Sequence, residues 1–327
     1  MEVRFKDRTV QVEGPGRDVL VSGRFVRIAE IHEEEWTADQ VIGDPADYLA
    51  AIRKCGTRVD VFTFTQKLPQ RELKPGYTVE WDNVAAIHTG EFDAWWNGLP
   101  QEARKNSRRA VKRGVTVREF KLDEQAVRGI MEIYNEVPMR QGRPFAHYGK
   151  PYERVAQELS SLPDRSEFIG AFHGEELVGF IKLVYMGDIA SILHIVSKHS
   201  HYDKRPSNAL VTFCAERCRD RGIAWLTYGK FQYGNKTDSP LTEFKRRNGF
   251  EKVDMPRYYA PLTTVGRVFT GLRLHRGLIG LLPAGVISAL LATRARLVSG
   301  LWLPLTRLRA SLKGTPPATR TGSDQTV

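Results

Sequence analysis

The stretch EFIGAFHGEELVGFIKLVYMGDIASILHIVS, residues 167–197, decides the fold of this chain. It consists of three apolar runs, and two short glycine-containing turns, at 173–176 and 186–188, separate them. Runs of this length between such turns are typical of consecutive antiparallel strands. The stretch therefore predicts a meander of three strands.

The residues after the meander predict alternating helices and strands. PSNALVTFCAERCRDRG (206–222) has proline in its first turn and glycine past its end, as helices often do. IAWLTYGKF (223–231) predicts a strand, and SPLTEFKRRNGF (239–250) predicts a short helix closed by Asn-Gly. KVDMPRYYAPL (252–262) predicts a last strand.

The residues before the meander predict a strand and two helices. VTVREFK (115–121) alternates as a strand does, and DEQAVRGIMEIYNEV (123–137) has apolar residues at helical spacing. YERVAQELSSL (152–162) predicts a second helix. Between the two helices, the segment IYNEVPMRQGRPFAHYGK (133–150) is crowded with cations and aromatic rings.

The first hundred residues predict a small α/β unit. Two strands are expected within 9–31, a helix over 44–56 and a strand over 58–68. Residues 91–113 predict a single helix that carries six cations towards its end. Its charged side is either a solvated helix face or an anion-binding ridge.

The order of elements over 115–262 resembles that of the GNAT acyltransferase superfamily. The helix with Trp95-Trp96 that runs into EARKNSRRAVKRGVTVREF, and the stretch NALVTFCAERCRDRGIAWLTYGKF, extend the resemblance to the tandem-GNAT, Fem-type acyl- and aminoacyltransferases. The resemblance implies an α/β (α+β) fold of tandem GNAT-like domains, with mixed, mostly antiparallel sheets flanked by helices. It covers residues 1–262.

Four regions are expected on this basis. Residues 1–110 are a degenerate GNAT-like half that ends in the basic helix, and 111–263 are the complete acyltransferase domain. Residues 264–313 form a basic, apolar, amphipathic helical tail that associates with membranes, and 314–327 are disordered by composition.

The resemblance implies a donor site at the start of the helix in SHYDKRPSNALV (200–211). Backbone N–H groups at a helix N-terminus bind phosphates. The glycines usual in GNAT enzymes are missing here, and Pro206 lacks an N–H group. The residues expected to bind the donor are Lys204, Arg205, Ser207 and Asn208. The expected donor is acyl-CoA, acetyl-CoA first, or alternatively aminoacyl-tRNA, and no metal is expected.

The resemblance also implies catalytic residues where the fourth and fifth strands of the domain separate. His194 is the candidate proton acceptor, and Tyr228 is the candidate acid for the leaving thiolate. The alternative for His194 is a hydrogen-bonded histidine of the core.

The crowded segment has the place of the GNAT segment that folds over the acceptor. Its cations suit phosphate or carboxylate groups, and its rings suit a sugar; the alternative is a loop that packs its own aromatic residues. The residues expected to bind the acceptor are Tyr134, Asn135, Arg140, Gln141, Arg143, His147, Tyr148 and, from the fifth strand, Lys230.

The charge of the chain is concentrated in the tail. Residues 264–327 hold nine Arg or Lys and one acid, and so carry +8 of the net +11. The run at 277–293 has 17 uncharged residues with Arg on both sides, which favours attachment to an anionic membrane surface. Packing against the protein and a true membrane span are the alternatives.

The N-terminus has no apolar leader, and three cysteines imply no disulfide framework, so a cytoplasmic location at the inner membrane face is expected. The leading hypothesis is an acyltransferase that modifies an amine or hydroxyl of a cell-envelope sugar, lipid or peptide precursor. Nucleic acid would be a partner only if tRNA were the donor. The alternative is a non-catalytic GNAT-fold protein that binds nucleic acid or an anionic membrane surface.

Overall fold

A computed structural model describes residues 1–32, 34, 44–70, 72–233 and 239–276. The strands are β1 (Glu2–Arg4), β2 (Thr9–Gln11), β3 (Val19–Ser22), β4 (Ile28–Ile31), β5 (Val61–Thr65), β6 (Thr78–His88), β7 (Val115–Phe120), β8 (Met139–Arg140), β9 (Arg143–Pro144), β10 (Ser166–His173), β11 (Glu176–Met186), β12 (Ile189–Ser197), β13 (Trp225–Thr227) and β14 (Glu251–Pro261). The helices are α1 (Pro45–Lys54), α2 (Phe92–Gly98), α3 (Gln101–Lys112), α4 (Glu124–Asn135), α5 (Tyr152–Leu159), α6 (Pro206–Asp220), α7 (Pro240–Arg247) and α8 (Thr264–Gly271).

Twelve of the described strands form one sheet in the order β2-β1-β3-β4-β5-β14-β6-β13-β12-β11-β10-β7, and β8 and β9 form a separate hairpin. The pairs β1–β3, β4–β5 and β12–β13 are parallel, and the other neighbours are antiparallel. The predicted meander is confirmed as β10-β11-β12, and so is the mixed, mostly antiparallel fold flanked by helices. The sheet is continuous through both predicted halves, whose boundary stays a prediction.

Strand β6 is the longest strand that the sequence failed to predict, beside the short β1, β8 and β9, and three strands lie within 9–31 where two were expected. It lies between β13 and β14, although it comes from the N-terminal part of the chain. Its pairing with β14 runs from Thr78 opposite Tyr259 to Ala86 opposite Glu251. The last three residues of β6, Ala86–His88, pair with β13. An N-terminal strand therefore completes the sheet of the second half.

The parallel pair β12–β13 is short, and this opens the sheet. The two strands pair only from Ile189 opposite Trp225 to Ser191 opposite Thr227. Beyond Thr227 the chain stays beside β6, where the N–H of Tyr228 donates to the carbonyl of Ala85 at 2.9 Å. The rest of β12 consequently loses its neighbour on this side, and a fork forms.

Helices cover both faces of the sheet around the fork. Apolar residues of α6 pack on one face against β10, β11 and β12, together with Ala110 of α3. On the other face α4 and α5 enclose a core that includes Tyr134 and Phe180. The cysteines Cys214 and Cys218 of α6 are buried as predicted.

The prediction of one helix over 91–113 is wrong. The helix stops at Gly98 and a second one starts at Gln101, because Pro100 lacks the N–H group that a continuous helix needs. Lys105, Arg108 and Lys112 of α3 are exposed. Whether this face binds an anion stays a prediction.

Of the predicted tail, α8 belongs to the described residues, whereas 277–327 lie outside them. No helix in the described part of the chain is long and apolar enough to span a bilayer. Helix α8 packs on the start of β5 through Gly266, where an added Cβ would lie 1.9 Å from the carbonyl oxygen of Asp60. The hydroxyl of Thr263 also donates to Asp60 Oδ1 at 2.6 Å.

We expect Gly266→Ala to destabilise the protein by about 1–3 kcal/mol, because the methyl group must push α8 off β5. Gly271→Ala is the matched control, since an added Cβ at Gly271 in the same helix meets nothing within 4 Å. Urea unfolding of both variants measures the difference. Equal stability of the two variants would show that α8 is not held at Gly266.

Candidate active site

A first cavity, of about 380 Å³, lies in the fork and is called the α6 cavity. Its walls are the end of β12, the start of α6, one side of α7 and the β8–β9 hairpin. Ser197 and Ser207 line it, and their hydroxyl oxygens lie 2.8 Å apart. Three of the four residues predicted to bind the donor, Arg205, Ser207 and Asn208, also line this cavity.

The start of α6 can bind an anion, with few backbone groups. Pro206 has no N–H, and the N–H groups of Asn208 and Ala209 both donate to the carbonyl of Arg205. Among the described residues, the N–H of Ser207 has no acceptor. Arg205 adopts a left-handed conformation, with φ of 59° and ψ of 41°, and is one of the residues that line the cavity. An anion would thus meet one amide, the Ser207 hydroxyl and a guanidinium.

The fourth predicted donor residue, Lys204, does not line the α6 cavity. Its ammonium lies 3.5 Å from Asp203, which also accepts a hydrogen bond from Arg113 at 2.9 Å. The side chain of Asn208 already forms a hydrogen bond within the protein, since its amide donates to Asn248 at 2.9 Å. Arg205 and Ser207 are therefore the better placed of the predicted donor residues.

Arg140 connects the hairpin to the fork. Its guanidinium donates to the carbonyls of Ser197, at 2.8 Å, and Ile133, at 2.7 Å, and lies 4.4 Å from the ring centre of Phe145. Its Nε is buried and has no hydrogen-bond partner among the residues that the structure describes. The residue fixes the end of β12 to α4, and it lines the α6 cavity.

A second cavity, of about 350 Å³, is called the β6 cavity. The apolar part of its wall includes Leu68, Met186 and Met255, and the polar part comes from the residues just after β5, from β6, from β14 and from the loop after β13. The polar residues of this wall include Gln66, Lys67, Asp82, Asn83, Lys230 and Arg257. An amphipathic molecule fits such a lining better than a wholly apolar one.

Tyr228 lines both cavities, as the first residue after β13 at the fork. Burial raises the pKa of its phenol, with a smaller contribution from Tyr233, so the hydroxyl stays protonated at neutral pH. Lys245 lies under it, with Nζ 4.4 Å from the ring centre of Tyr228 and 5.2 Å from that of Tyr233. Lys245 is fully buried and donates to the carbonyl of Lys230 at 2.6 Å. Burial lowers the pKa of Lys245 to about 8.

The loop after β13 is also held by β6. The amide of Asn83 exchanges two hydrogen bonds with the backbone of Gln232, of 2.8 and 3.2 Å. Lys230, predicted to bind the acceptor, lines the β6 cavity and forms an ion pair with Asp82 at 2.6 Å.

His194 lies between the two cavities and lines neither of them. The residues on either side of His194 in β12 line different cavities: Leu193 lines the β6 cavity and Ile195 lines the α6 cavity. Its ring meets the ring of His147 edge-on at 5.8 Å. Burial lowers the pKa of His194 to about 4, and His147, Lys182 and Lys150 add to this, whereas Glu158 opposes it. The imidazole is therefore neutral at pH 7 and is a weak base.

The crowded segment 133–150 is built into the protein more than its composition suggests. Tyr134 is 2% exposed and stacks on His147 at 4.6 Å. Asn135 caps the turn by accepting from the N–H of Gly149 at 2.8 Å. Of the residues predicted to bind the acceptor, Arg140 and Gln141 line the α6 cavity rather than the β6 cavity.

Arg143 and Tyr148 are exposed and line neither cavity. The structure thus divides the predicted acceptor residues among the core, the α6 cavity, the β6 cavity and the surface. Their role in binding stays a prediction. The polar residues of β6 could not be found from the sequence, because β6 itself was not predicted.

Comparisons with known proteins agree with this architecture. A family model described as Acetyltransferase (GNAT) domain matches residues 101–246. The crystal structure of FemX superimposes with a TM-score of 0.55 at 11% identity, over 80% of this chain and 89% of FemX, which shows a shared fold.

Two further solved structures are more distant. The structure of L-PGS from Bacillus licheniformis gives a TM-score of 0.48 at 15% identity, over 81% of this chain and 86% of that one. A tandem GNAT protein from the clavulanic acid biosynthesis pathway gives a TM-score of 0.41 at 13% identity, over 80% of this chain and 81% of that one. A search of curated proteins by sequence gives no match.

The low pKa of His194 predicts a specific loss of stability in acid. The unfolded chain binds a proton below pH 6.5 and the folded chain binds it only near pH 4, so stability falls between these values and then levels off. We expect His194→Gln to remove about 2 kcal/mol of this loss at pH 4.5, after allowance for partial exposure. Urea unfolding at pH 7 and 4.5 measures it.

His88→Gln is the matched control, because the His88 side chain is 41% exposed at the end of β6. The control should keep the acid sensitivity of the unchanged protein. The same acid sensitivity in the His194 variant would show that His194 is solvated and protonated normally.

Proposed function

We propose that this chain, whose residues 101–246 match the GNAT acetyltransferase family model, transfers an acyl group between two substrates that meet at Tyr228. The donor occupies the α6 cavity and the acceptor occupies the β6 cavity. The observation that carries this assignment is that Tyr228 lines both cavities. A residue shared by two separate cavities can contact the donor carbonyl region and the attacking group at the same time.

The α6 cavity supports an acyl donor with phosphate groups. Arg205, the Ser207 hydroxyl and the Ser207 N–H converge at the start of α6, and Arg140 adds positive charge. Acyl-CoA, such as acetyl-CoA, is the donor we propose. Aminoacyl-tRNA is the second donor class, since it also presents phosphates beside a reactive acyl group.

The β6 cavity supports an acceptor with a polar and an apolar part. Lys230, Asp82 and Asn83 provide charged and hydrogen-bonding groups, and Met186 and Met255 provide an apolar wall. We propose an amine or hydroxyl of a cell-envelope sugar, lipid or peptide precursor as the acceptor.

The reaction needs binding, orientation and one proton donor. The acceptor amine or hydroxyl attacks the acyl carbon, a C–N or C–O bond forms, and the C–S bond of the thioester breaks. The phenol of Tyr228 gives its proton to the leaving thiolate, and the proton of the acceptor passes to solvent and restores the phenol. The raised pKa of Tyr228 keeps this proton in place before the reaction.

We expect Tyr228→Phe to lower kcat by at least about 100-fold, the usual contribution of a positioned acid, and to leave donor affinity unchanged. The assay uses the full chain with labelled acetyl-CoA and a membrane-lipid extract as acceptor, with aminoacyl-tRNA as a second donor. We expect His194→Gln to lower kcat much less, because His194 lines neither cavity.

Tyr202→Phe is the matched control, because Tyr202 lines the α6 cavity alone. It should change donor affinity with little effect on kcat. Equal kcat losses in the Tyr202 and Tyr228 variants would contradict the assignment of Tyr228. Absence of transfer from both donors would contradict the proposed function.

We also propose that the chain attaches peripherally to an anionic membrane surface through 264–313. The support is the sequence, because an uncharged run at 277–293 lies between arginines. The full chain should float with vesicles that contain phosphatidylglycerol and much less with pure phosphatidylcholine vesicles. Equal flotation with both, or none, would contradict the proposal.

A further inference from the structure

The chain leaves the sheet next to the β6 cavity. The side chain of His275 is 1% exposed, its Nε2 lies 3.2 Å from Glu80 Oε1, and its ring lies 4.2 Å from that of Tyr259. Alternate residues of a strand share a face. Glu80 and Tyr259 therefore share the face of Asp82 and Arg257, which line the β6 cavity.

The separation between this exit point and the cavity is small. Two residues along a strand span about 7 Å. Asp82 and Glu80 both act electrostatically on the phenol of Tyr259, whose pKa is raised mainly by burial. His275 thus fixes the end of the described chain beside one wall of the β6 cavity.

Helix α8, which precedes His275, presents an apolar face to solvent. Gly266 and Thr270 are buried against the sheet, whereas Val265, Val268 and Leu272 are 44%, 55% and 62% exposed. Their spacing of three and four residues puts them on one side of the helix. These three residues are called the α8 apolar face.

The charges around this face favour an anionic lipid surface over another protein. Arg267 and Arg273 are exposed beside it. The sequence then continues through Arg276 into the uncharged run at 277–293, with Arg294 and Arg296 after it. An apolar stripe bordered by arginines is the composition of segments that lie in the headgroup region of anionic membranes.

We propose that the α8 apolar face lies in an anionic lipid surface, and that His275 thereby holds the mouth of the β6 cavity against this surface. The acceptor is then a polar group presented by the lipid surface, and it enters the cavity from there. The identity of the cavity as the acceptor site rests on the function proposed above. The orientation of the cavity towards lipid does not require turnover.

The experiment places single fluorescent labels on the full chain. Cys55, Cys214 and Cys218 are buried, so an introduced cysteine reacts selectively. Three variants carry an environment-sensitive label. Leu272→Cys reports on the α8 apolar face, Tyr233→Cys on the β6 cavity, and Glu102→Cys on exposed α3 as the control.

Vesicles of equal parts phosphatidylcholine and phosphatidylglycerol are the probe. We expect a blue shift and quenching by spin-labelled lipid at positions 272 and 233, and no change at 102. A response at 272 without one at 233 would overturn the orientation of the cavity. If the label at 272 does not respond although the protein floats, the docking of α8 on lipid is overturned. That result is expected if residues 277–327 or a second copy of the chain cover the α8 apolar face.

Two further variants test the anchor and the charge. With His275→Ala the protein should still float, but the label at 233 should lose its response; a retained response would overturn the anchoring role. Arg273→Gln should weaken binding to the anionic vesicles about fivefold, the usual effect of one juxtamembrane cation. An unchanged affinity would overturn the electrostatic part. Failure of acyl transfer leaves these readouts intact, so the two proposals fail separately.

Discussion

The position of β6 between β13 and β14 is the constraint on which the site depends. Strand β13 is only three residues long, and its continuation is bonded to Ala85 of β6 rather than to β12. Because β6 pairs with β14 over nine positions, it cannot follow β12, so β12 and β13 separate after Ser191 and Thr227. The separation opens the space of the α6 cavity, and Tyr228 lines it. The N-terminal part of the chain thereby shapes the fork, whereas the described wall of the α6 cavity is formed by residues from Arg140 onwards.

Two buried lysines show how the polar groups near the fork are stabilised. Lys182 and Lys245 are both fully buried, and burial lowers the pKa of each to about 8. Lys182 donates to the carbonyl of Leu159 at 2.7 Å and so closes the end of α5. Lys245 holds the carbonyl of Lys230 and lies under the ring of Tyr228. In both cases carbonyl acceptors offset the loss of hydration, and the ammonium fixes a segment that borders the site.

Local sequence patterns predicted the helices and strands that local residues specify. They failed to predict strands that form only by pairing with residues distant in the sequence. The meander over 167–197 and the helix start at Pro206 were predictable because short turns and caps specify them. In β6, Glu80 and Asp82 alternate with Val79 and Trp81, but Asn83 breaks the alternation, and the partners of β6 lie far away in sequence. His194 shows a second limit. A β-bulge between Lys182 and Leu183 pairs His194 with Lys182, which turns its ring towards His147 and away from α6. Strand alternation alone puts it on the side of Ile192.

The start of α6 determines what kind of recognition an anion receives there. A glycine-rich helix start offers several N–H groups in fixed directions and so selects the geometry of a pyrophosphate. Here Pro206 has no N–H, and the carbonyl of Arg205 accepts hydrogen bonds from the N–H groups of Asn208 and Ala209. Among the described residues, the N–H of Ser207 is therefore the one that remains for an anion. The positive charge of Arg205 then carries more of the binding, and a side-chain cation accepts phosphates of more varied geometry than a rigid backbone does. In the function proposed above, donor selection therefore moves from the phosphate site to the acyl end, where Tyr228 and the β6 cavity meet.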